Sequence, residues 1–198
     1  MRQTKRIANL NIRYMRSPDI HILDKIYECA SVQTKIYFHP GIFSSEFKYV
    51  RNKLYFLLSR ACLIISTNKY LRSVLITLLA YIPIFAYIPV VATHGDHYVG
   101  FAFLKFSKTK KEASLGIFVP EPYQGRGFGK ALLQTLVQEA MKNNLSRIYL
   151  HVLDINLKAR RLYESFGFKY TGRRLFEIWN DKVYVYLEMA RELSYGRE

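Results

Sequence analysis

The chain has 198 residues, of which 50% are hydrophobic and 15% aromatic. This composition excludes an intrinsically disordered chain, and the length fits one domain built on one sizeable core. Lys and Arg number thirty and Asp and Glu fifteen, which gives a formal net charge of +15. Such a charge attracts polyanions, whether nucleic acid, anionic lipids or phosphorylated small molecules. The basic residues are spread along the whole chain and form no arginine-rich arm, so we do not expect a nucleic-acid partner.

The cysteine content and the N-terminus indicate the cellular setting. The two cysteines, Cys29 and Cys62, belong to no CxxC motif and no Cys/His cluster, so neither a zinc site nor a disulfide framework is expected. The first residues are basic and lack the apolar run of a secretory signal. These features predict a cytoplasmic protein, with attachment to a membrane surface as the alternative.

Two helices are predicted in the first third of the chain. Residues 17–37 have apolar side chains at helical spacing after the start signal Ser17-Pro18-Asp19. A second helical pattern covers residues 45–62.

A long uncharged segment, residues 74–92, follows these helices. It is long enough to suggest a membrane span, but Pro83 and Pro89 interrupt it and its end is typical of a strand. The alternatives are a buried or dimer-forming insert, an element lying on a membrane surface, and a true span.

The rest of the chain alternates strands and helices. Two strands are predicted on either side of a turn at residues 94–97, and a third, "ASLGIFVP", ends at Pro120. A helix then carries an apolar face made of Leu132, Leu133, Leu136, Val137, Ala140 and Met141. The strand "SRIYLHVL", a short helix ended by Gly167 and the strands "FKYTGRRL" and "KVYVYLEMA" follow. The predicted order is α, α, β, β, β, α, β, α, β, β.

Three glycines stand at alternate positions just before a helix in the stretch "VPEPYQGRGFGKALL". Glycine lets the backbone approach a ligand closely, and a helix start offers unpaired N–H groups that bind phosphate. Arg126 and Lys130 add positive charge. The stretch is not a Walker A loop, because Ala131 follows Lys130 and Gln124 stands where the first glycine is required. The dinucleotide fingerprint GxGxxG also fails.

The stretch does match the pattern Q/R-x-x-G-x-G/A through Gln124, Gly127 and Gly129. A second series, N-x-x-A-x-x-x-Y-x-x-x-G-F, follows in the order Asn156, Ala159, Tyr163, Gly167 and Phe168. With these two motifs the chain resembles the GNAT superfamily of N-acetyltransferases over residues 90–189. The resemblance implies an α/β (α+β) fold with a mixed, mostly antiparallel twisted sheet flanked by helices. In that fold a splayed parallel strand pair binds acetyl-CoA.

The resemblance also implies a set of cofactor-binding residues. The thioester arm would take backbone hydrogen bonds from Ile117, Phe118 and Val119. The N–H groups of the glycine loop would hold the diphosphate, and Asn156 and Tyr163 would line the thioester site. The loop residues concerned are Gln124, Gly125, Arg126, Gly127, Phe128, Gly129 and Lys130.

Tyr163 is the candidate general acid, since the family often assigns protonation of the leaving thiolate to this tyrosine. The alternative is a packing aromatic beside Leu162 and Phe166.

The general base stays unassigned, with His151 as one candidate. Strand alternation puts Tyr149, His151 and Leu153 on one face, where His151 could reach the acceptor. The other candidates are Glu112, Glu121 and the turn at residues 94–97, and a chain of waters is a further possibility.

The resemblance therefore predicts an acetyl-CoA-dependent N-acetyltransferase that modifies a primary amine, such as an amino sugar, another small molecule or a peptide, without a metal. The alternative is a non-catalytic acyl-CoA-binding or regulatory module. We expect one domain, with N-terminal helices in residues 1–70, an apolar insert in 71–92 and an acetyl-CoA-binding core in 93–198. A homodimer and a peripheral membrane contact through residues 71–92 are further expectations.

Overall fold

The structure is a computed structural model, and it describes residues 7–16, 19, 22, 26–27, 30–37, 87–107, 111–179 and 181–194. The strands are β1 (Leu10–Tyr14), β2 (Tyr87–His94), β3 (His97–Phe106), β4 (Glu112–Phe118), β5 (Arg147–Leu153), β6 (Lys169–Trp179) and β7 (Lys182–Glu192). The helices are α1 (Val32–Tyr37), α2 (Phe128–Lys142) and α3 (Leu157–Ser165), with a 3₁₀ turn at Glu121–Tyr123.

Within the described residues the strands form one seven-stranded sheet in the order β1-β2-β3-β4-β5-β7-β6. β4 and β5 run parallel, and every other neighbouring pair is antiparallel. This arrangement confirms the predicted mixed, mostly antiparallel sheet with one parallel pair.

The main core lies between the sheet and the pair α2 and α3. β5 alternates as predicted: Ile148, Leu150 and Val152 enter this core, whereas Tyr149 and His151 lie on the opposite face. On α2 the predicted apolar face is buried except for Met141, which is 41% exposed because it lies in the last turn, at the edge of that face.

The N-terminal region differs from the prediction in two ways. Strand β1 was not predicted, since "LNIRY" is a short, partly polar segment that becomes a strand only by pairing with β2. The helix predicted over residues 17–37 is interrupted at Ala30 and Ser31, and α1 begins after them at Val32.

The buried carboxylate of Asp19 ties the N-terminal region to the sheet. It receives hydrogen bonds from both terminal nitrogens of Arg13, at 2.7 and 2.8 Å, and from the hydroxyl of Tyr98 at 2.6 Å. The amide of Arg16 donates a further bond. Burial alone would raise the pKa of Asp19, but these bonds outweigh burial and lower it.

Several predictions fall on residues outside the described set. These are the helix over 45–62, the cysteines at 29 and 62, and residues 71–86 of the apolar segment. The end of that segment is described, and it forms the predicted strand as β2, followed by the predicted turn before β3. Among the described residues, no helix combines the length and apolar character that crossing a membrane requires.

Candidate active site

The parallel strands β4 and β5 pair for only three residues and then part. The paired positions are 112–114 on β4 and 147–149 on β5. Beyond these positions β4 remains paired with β3, and β5 remains paired with β7. A gap therefore opens between residues 115–118 and residues 150–153, bordered on one side by Ile117 and Phe118.

The glycine loop lies between the 3₁₀ turn and α2, at the same edge of the sheet. Gly125 and Gly127 have φ values of +75° and +88°, a conformation that disfavours any residue with a Cβ. Among the described residues, no carbonyl or side chain accepts a hydrogen bond from the amides of residues 125–130. Because α2 begins at Phe128, these free N–H groups add to the positive end of a helix dipole.

The side chains of the loop divide into anchors and exposed cations. Phe128 is buried, with its ring centroid 5.5 Å from that of His94 and 6.2 Å from that of Tyr123. Arg126 and Lys130 are exposed and have no bonded partner in the part of the chain that the structure describes. The loop thus presents backbone donors flanked by two positive charges, which suits a diphosphate.

Gln124 has a different place from the one the motif implied. Its amide donates to the carbonyl of Glu121 at 3.1 Å, so this N–H is not free for a ligand. Its side-chain nitrogen donates to the carbonyl of Val119 at 3.0 Å and lies 3.4 Å from Oγ1 of Thr34. The carbonyl of Val119 therefore already accepts a hydrogen bond, and Gln124 ties the loop to Val119, which directly follows β4, and to α1.

Asn156 lies at the N-terminus of α3, and Tyr163 lies within that helix. The side-chain oxygen of Asn156 accepts a hydrogen bond from the amide of Ala159 at 3.1 Å and so caps the helix. Tyr163 packs against the main core, with its ring centroid 5.9 Å from that of Phe168. Burial raises the pKa of Tyr163 to about 12. Its hydroxyl has no hydrogen-bond partner among the described residues.

His151 is the candidate base that borders the gap. It stands two residues beyond Tyr149, the last residue of β5 that pairs with β4. Its side chain is 25% exposed, and its Nε2 lies 3.8 Å from Oε2 of Glu188. Burial lowers the pKa of His151, and the negative charge of Glu188 opposes that shift.

The other carboxylate candidates have structural partners. Glu112 lies at the closed end of the strand pair, 3.5 Å from a guanidinium nitrogen of Arg147. Glu121 accepts a hydrogen bond from the amide of Ser31 at 3.0 Å, just before α1. Burial by itself raises the pKa of Glu121, but the bonds from Ser31 and Thr34 outweigh it and hold that pKa at about 2. Such a carboxylate is a very weak base at neutral pH.

The turn between β2 and β3 lies beside the glycine loop. His94, Asp96 and His97 are exposed there, and the His94 ring packs against Phe128. Within the described ranges, no three His, Cys, Asp or Glu side chains gather as metal ligands.

Comparison with known proteins agrees with this geometry. The model of the acetyltransferase (GNAT) family matches residues 63–168, more than half of the chain. The chain belongs to this family. It is an acetyl-CoA-dependent N-acetyltransferase that acts on an amine.

Individual relatives extend the comparison. The spermine/spermidine N(1)-acetyltransferase of Bacillus subtilis is 36% identical over 107 residues, which cover 50% of this chain and 69% of the relative. The ribosomal-protein-S18-alanine N-acetyltransferase of Escherichia coli superposes with a TM-score of 0.65 at 22% identity, over 96% of this chain and 97% of the other. A spermidine N-acetyltransferase from Vibrio cholerae, solved with CoA and spermine, gives a TM-score of 0.64 at 19% identity, over 94% and 96% of the two chains.

One residue of this site was missed by the sequence analysis. Glu188 of β7 is 7% exposed and faces His151. Its signal was present, because a single carboxylate interrupts the otherwise apolar and aromatic run "VYVYLEMA". A buried carboxylate in a strand requires partners, and these come from other strands.

Proposed function

We propose that this GNAT enzyme holds acetyl-CoA with the thioester arm in the gap between β4 and β5 and the diphosphate on the amides of residues 125–130. This proposal rests on the short pairing of β4 with β5, which stops at Ser114 and Tyr149. The backbone groups of Ile117 and Phe118 therefore have no strand partner on the side that faces β5. The free loop amides and the charges of Arg126 and Lys130 fit a diphosphate.

When bound, acetyl-CoA supplies the activated acetyl group as a thioester. We propose that Tyr163 is the general acid. Its hydroxyl donates its proton to the sulfur as the carbon–sulfur bond breaks. Because the pKa of Tyr163 is about 12, the hydroxyl keeps that proton throughout the physiological range.

His151 is the base in this proposal. The acceptor enters as an ammonium ion and must lose a proton before its nitrogen can bond to the acetyl carbon. His151 accepts that proton, and its lowered pKa means that it is neutral and competent at pH 7. The nitrogen gives up a second proton as the amide forms, and this proton restores Tyr163. His151 then releases its proton to solvent, so one proton is released per turnover.

The acceptor we propose is a small aliphatic di- or polyamine. The Bacillus subtilis relative, whose name gives spermine and spermidine as its substrates, supports this class. A half-open cavity of about 460 Å³ at the end of β5 has the volume of a small-molecule site, and it is lined by residues 153–155 and 182–185, with Lys182 among them. Asp154 provides a carboxylate there that has no bonded partner among the described residues. In this proposal it binds the second ammonium group of the acceptor.

An acceptor screen tests the function. Thiol release from acetyl-CoA is followed with spermidine, spermine, a monoamine, an amino sugar and a peptide with a free N-terminus. We expect turnover with the polyamines, and the Asp154→Asn variant should raise KM for spermidine while leaving KM for a monoamine unchanged. Turnover of the amino sugar alone would refute the polyamine proposal and leave the acetyltransferase activity intact.

Two expectations from the sequence also stay proposals: a homodimer and a peripheral membrane contact through residues 71–92. Sedimentation of the full chain tests the first. Co-sedimentation with vesicles containing anionic lipid, at low and high salt, tests the second.

A further inference from the structure

Glu188 is a buried carboxylate on the strand next to the proposed base. The register of β5 and β7 places it directly opposite His151. It is 7% exposed, and its surroundings are therefore set by the protein rather than by water.

The two oxygens of Glu188 have separate partners. Oε1 accepts a hydrogen bond from the hydroxyl of Thr171 at 3.0 Å and lies 3.3 Å from Nη2 of Arg147. Oε2 lies 3.8 Å from Nε2 of His151 and 3.9 Å from a guanidinium nitrogen of Arg173. Thr171 and Arg147 thus fix the carboxylate, and its second oxygen is directed at the imidazole.

Two arginines, Arg147 and Arg173, also lie near Glu188, but neither neutralises its charge fully. Arg147 is shared, because it also pairs with Glu112 at 3.5 Å and with Glu192 at 3.3 Å. Its positive charge is therefore divided among three carboxylates. Arg173 is 77% exposed, and its weak contact with Glu188 is screened by solvent.

Aromatic rings also adjoin the cluster among the described residues. The Tyr149 ring lies 5.7 Å from the guanidinium carbon of Arg147, and its centroid is 6.1 Å from that of His151. On α1, which packs against β5, Tyr37 contacts the cluster of Leu153 and Tyr186.

We propose that Glu188 is a positioning residue for His151 and stabilises its protonated form during turnover. The separation of 3.8 Å is an ion-pair distance rather than a hydrogen bond, so the attraction becomes strong only once the imidazole has taken up a proton. Glu188 faces Nε2, which leaves Nδ1 of His151 to accept the proton of the acceptor ammonium.

This inference rests on His151 being the base, and the test separates the two claims. The His151 resonances are titrated by NMR in the wild type, in Glu188→Gln and in Glu192→Gln, and kcat/KM is measured against pH in parallel. Glu192→Gln is the matched control, since it also removes a carboxylate from Arg147 but is 77% exposed.

In Glu188→Gln we expect His151 to titrate at lower pH than in the wild type, because the neighbouring negative charge is gone. The acid limb of the kcat/KM profile should move in the same direction. In Glu192→Gln the His151 titration and the acid limb of the kcat/KM profile should both be unchanged. An unchanged His151 titration in Glu188→Gln would overturn the inference. Full activity of His151→Ala would instead overturn the assignment of the base, whatever the titration shows.

A conservative variant decides the matter if Glu188→Gln fails to fold. Glu188→Asp keeps the charge and withdraws it by one methylene. We expect kcat to fall with little change in KM, and His151 to titrate closer to the wild-type pH than it does without a carboxylate. A kcat and a pH profile equal to those of the wild type would contradict a positioning role.

Discussion

Replacing Gly127 by alanine places a Cβ on a residue whose φ is +88°, immediately before the first residue of α2. The left-handed conformation costs an ordinary residue about 1–2 kcal/mol. The added carbon would also lie 3.2 Å from Cδ1 of Ile7, the end of a flexible side chain that can move by a few tenths of an ångström. The backbone conformation therefore dominates the cost.

The matched control is Gly129→Ala. Gly129 lies inside α2, where alanine is favoured, and its new Cβ would meet Leu162 and Val119 at ordinary contact distances of 3.7 and 3.8 Å. Gly125→Ala is the second comparison: its φ is +75°, but its Cβ would meet nothing within 4 Å. Gly127 and Gly125 thus share the backbone strain, and Gly129 lacks it.

We expect Gly127→Ala to lower the free energy of unfolding by about 1–2 kcal/mol, which is a fall in Tm of about 2–8 °C for a chain of this size. Relaxation of the strain would also turn loop amides away from the diphosphate. A hydrogen bond to a charged group contributes about 1.5–3 kcal/mol, so losing one should raise the Kd for CoA about tenfold or more.

Scanning fluorimetry and calorimetric titration with CoA measure the two effects. Gly125→Ala should resemble Gly127→Ala, and Gly129→Ala should match the wild type in Tm. The reasoning is refuted if Gly129→Ala is as destabilised as Gly127→Ala, or if Gly127→Ala binds CoA with wild-type affinity.

Tyr163→Phe should lower kcat by about 10²–10⁴, because the proposed general acid is lost. KM for acetyl-CoA and Tm should be unchanged, because the hydroxyl has no hydrogen-bond partner among the described residues. Steady-state kinetics measure the effect, and a wild-type kcat would leave Tyr163 as a packing residue. Asp19→Asn should destabilise the protein by about 1.5–3 kcal/mol at pH 7 through weaker bonds to Arg13 and Tyr98. Since the folded pKa of Asp19 is lowered, its contribution is present above pH 4 and is lost as the pH falls, so urea melts should show the difference shrinking in acid. Glu121→Gln should leave the acid limb of the kcat/KM profile above pH 5 in place, because the pKa of Glu121 is about 2; a shifted limb would restore Glu121 as a candidate base.

Much of the site was predictable because its signals are local. The glycines that need positive φ stand next to the helix whose N–H groups they expose, within one short stretch. Asn156 caps α3 and Tyr163 lies within that helix, at the spacing of the second motif, and alternate residues of β5 lie on opposite faces of the sheet. The family and its chemistry followed from these short-range patterns.

Features that depend on pairing between distant segments were not predictable in this way. Strand β1 exists because β2 pairs with it, and α1 begins where the Glu121 carboxylate accepts the Ser31 amide. The end of β4–β5 pairing after Ser114 and Tyr149 is likewise a property of two strands and of their outer partners.

The sequence by itself determined the class of fold and the position of the glycine loop before α2, and it singled out the candidate acid, since turn conformation and helical spacing depend on neighbouring residues. Only the tertiary structure decided that the amide of Gln124 is already bonded and that Glu188 faces His151. The register of β5 against β7 creates that charge pair. Neither strand encodes the register alone, because it is the joint result of how both strands bury their apolar faces against the same core.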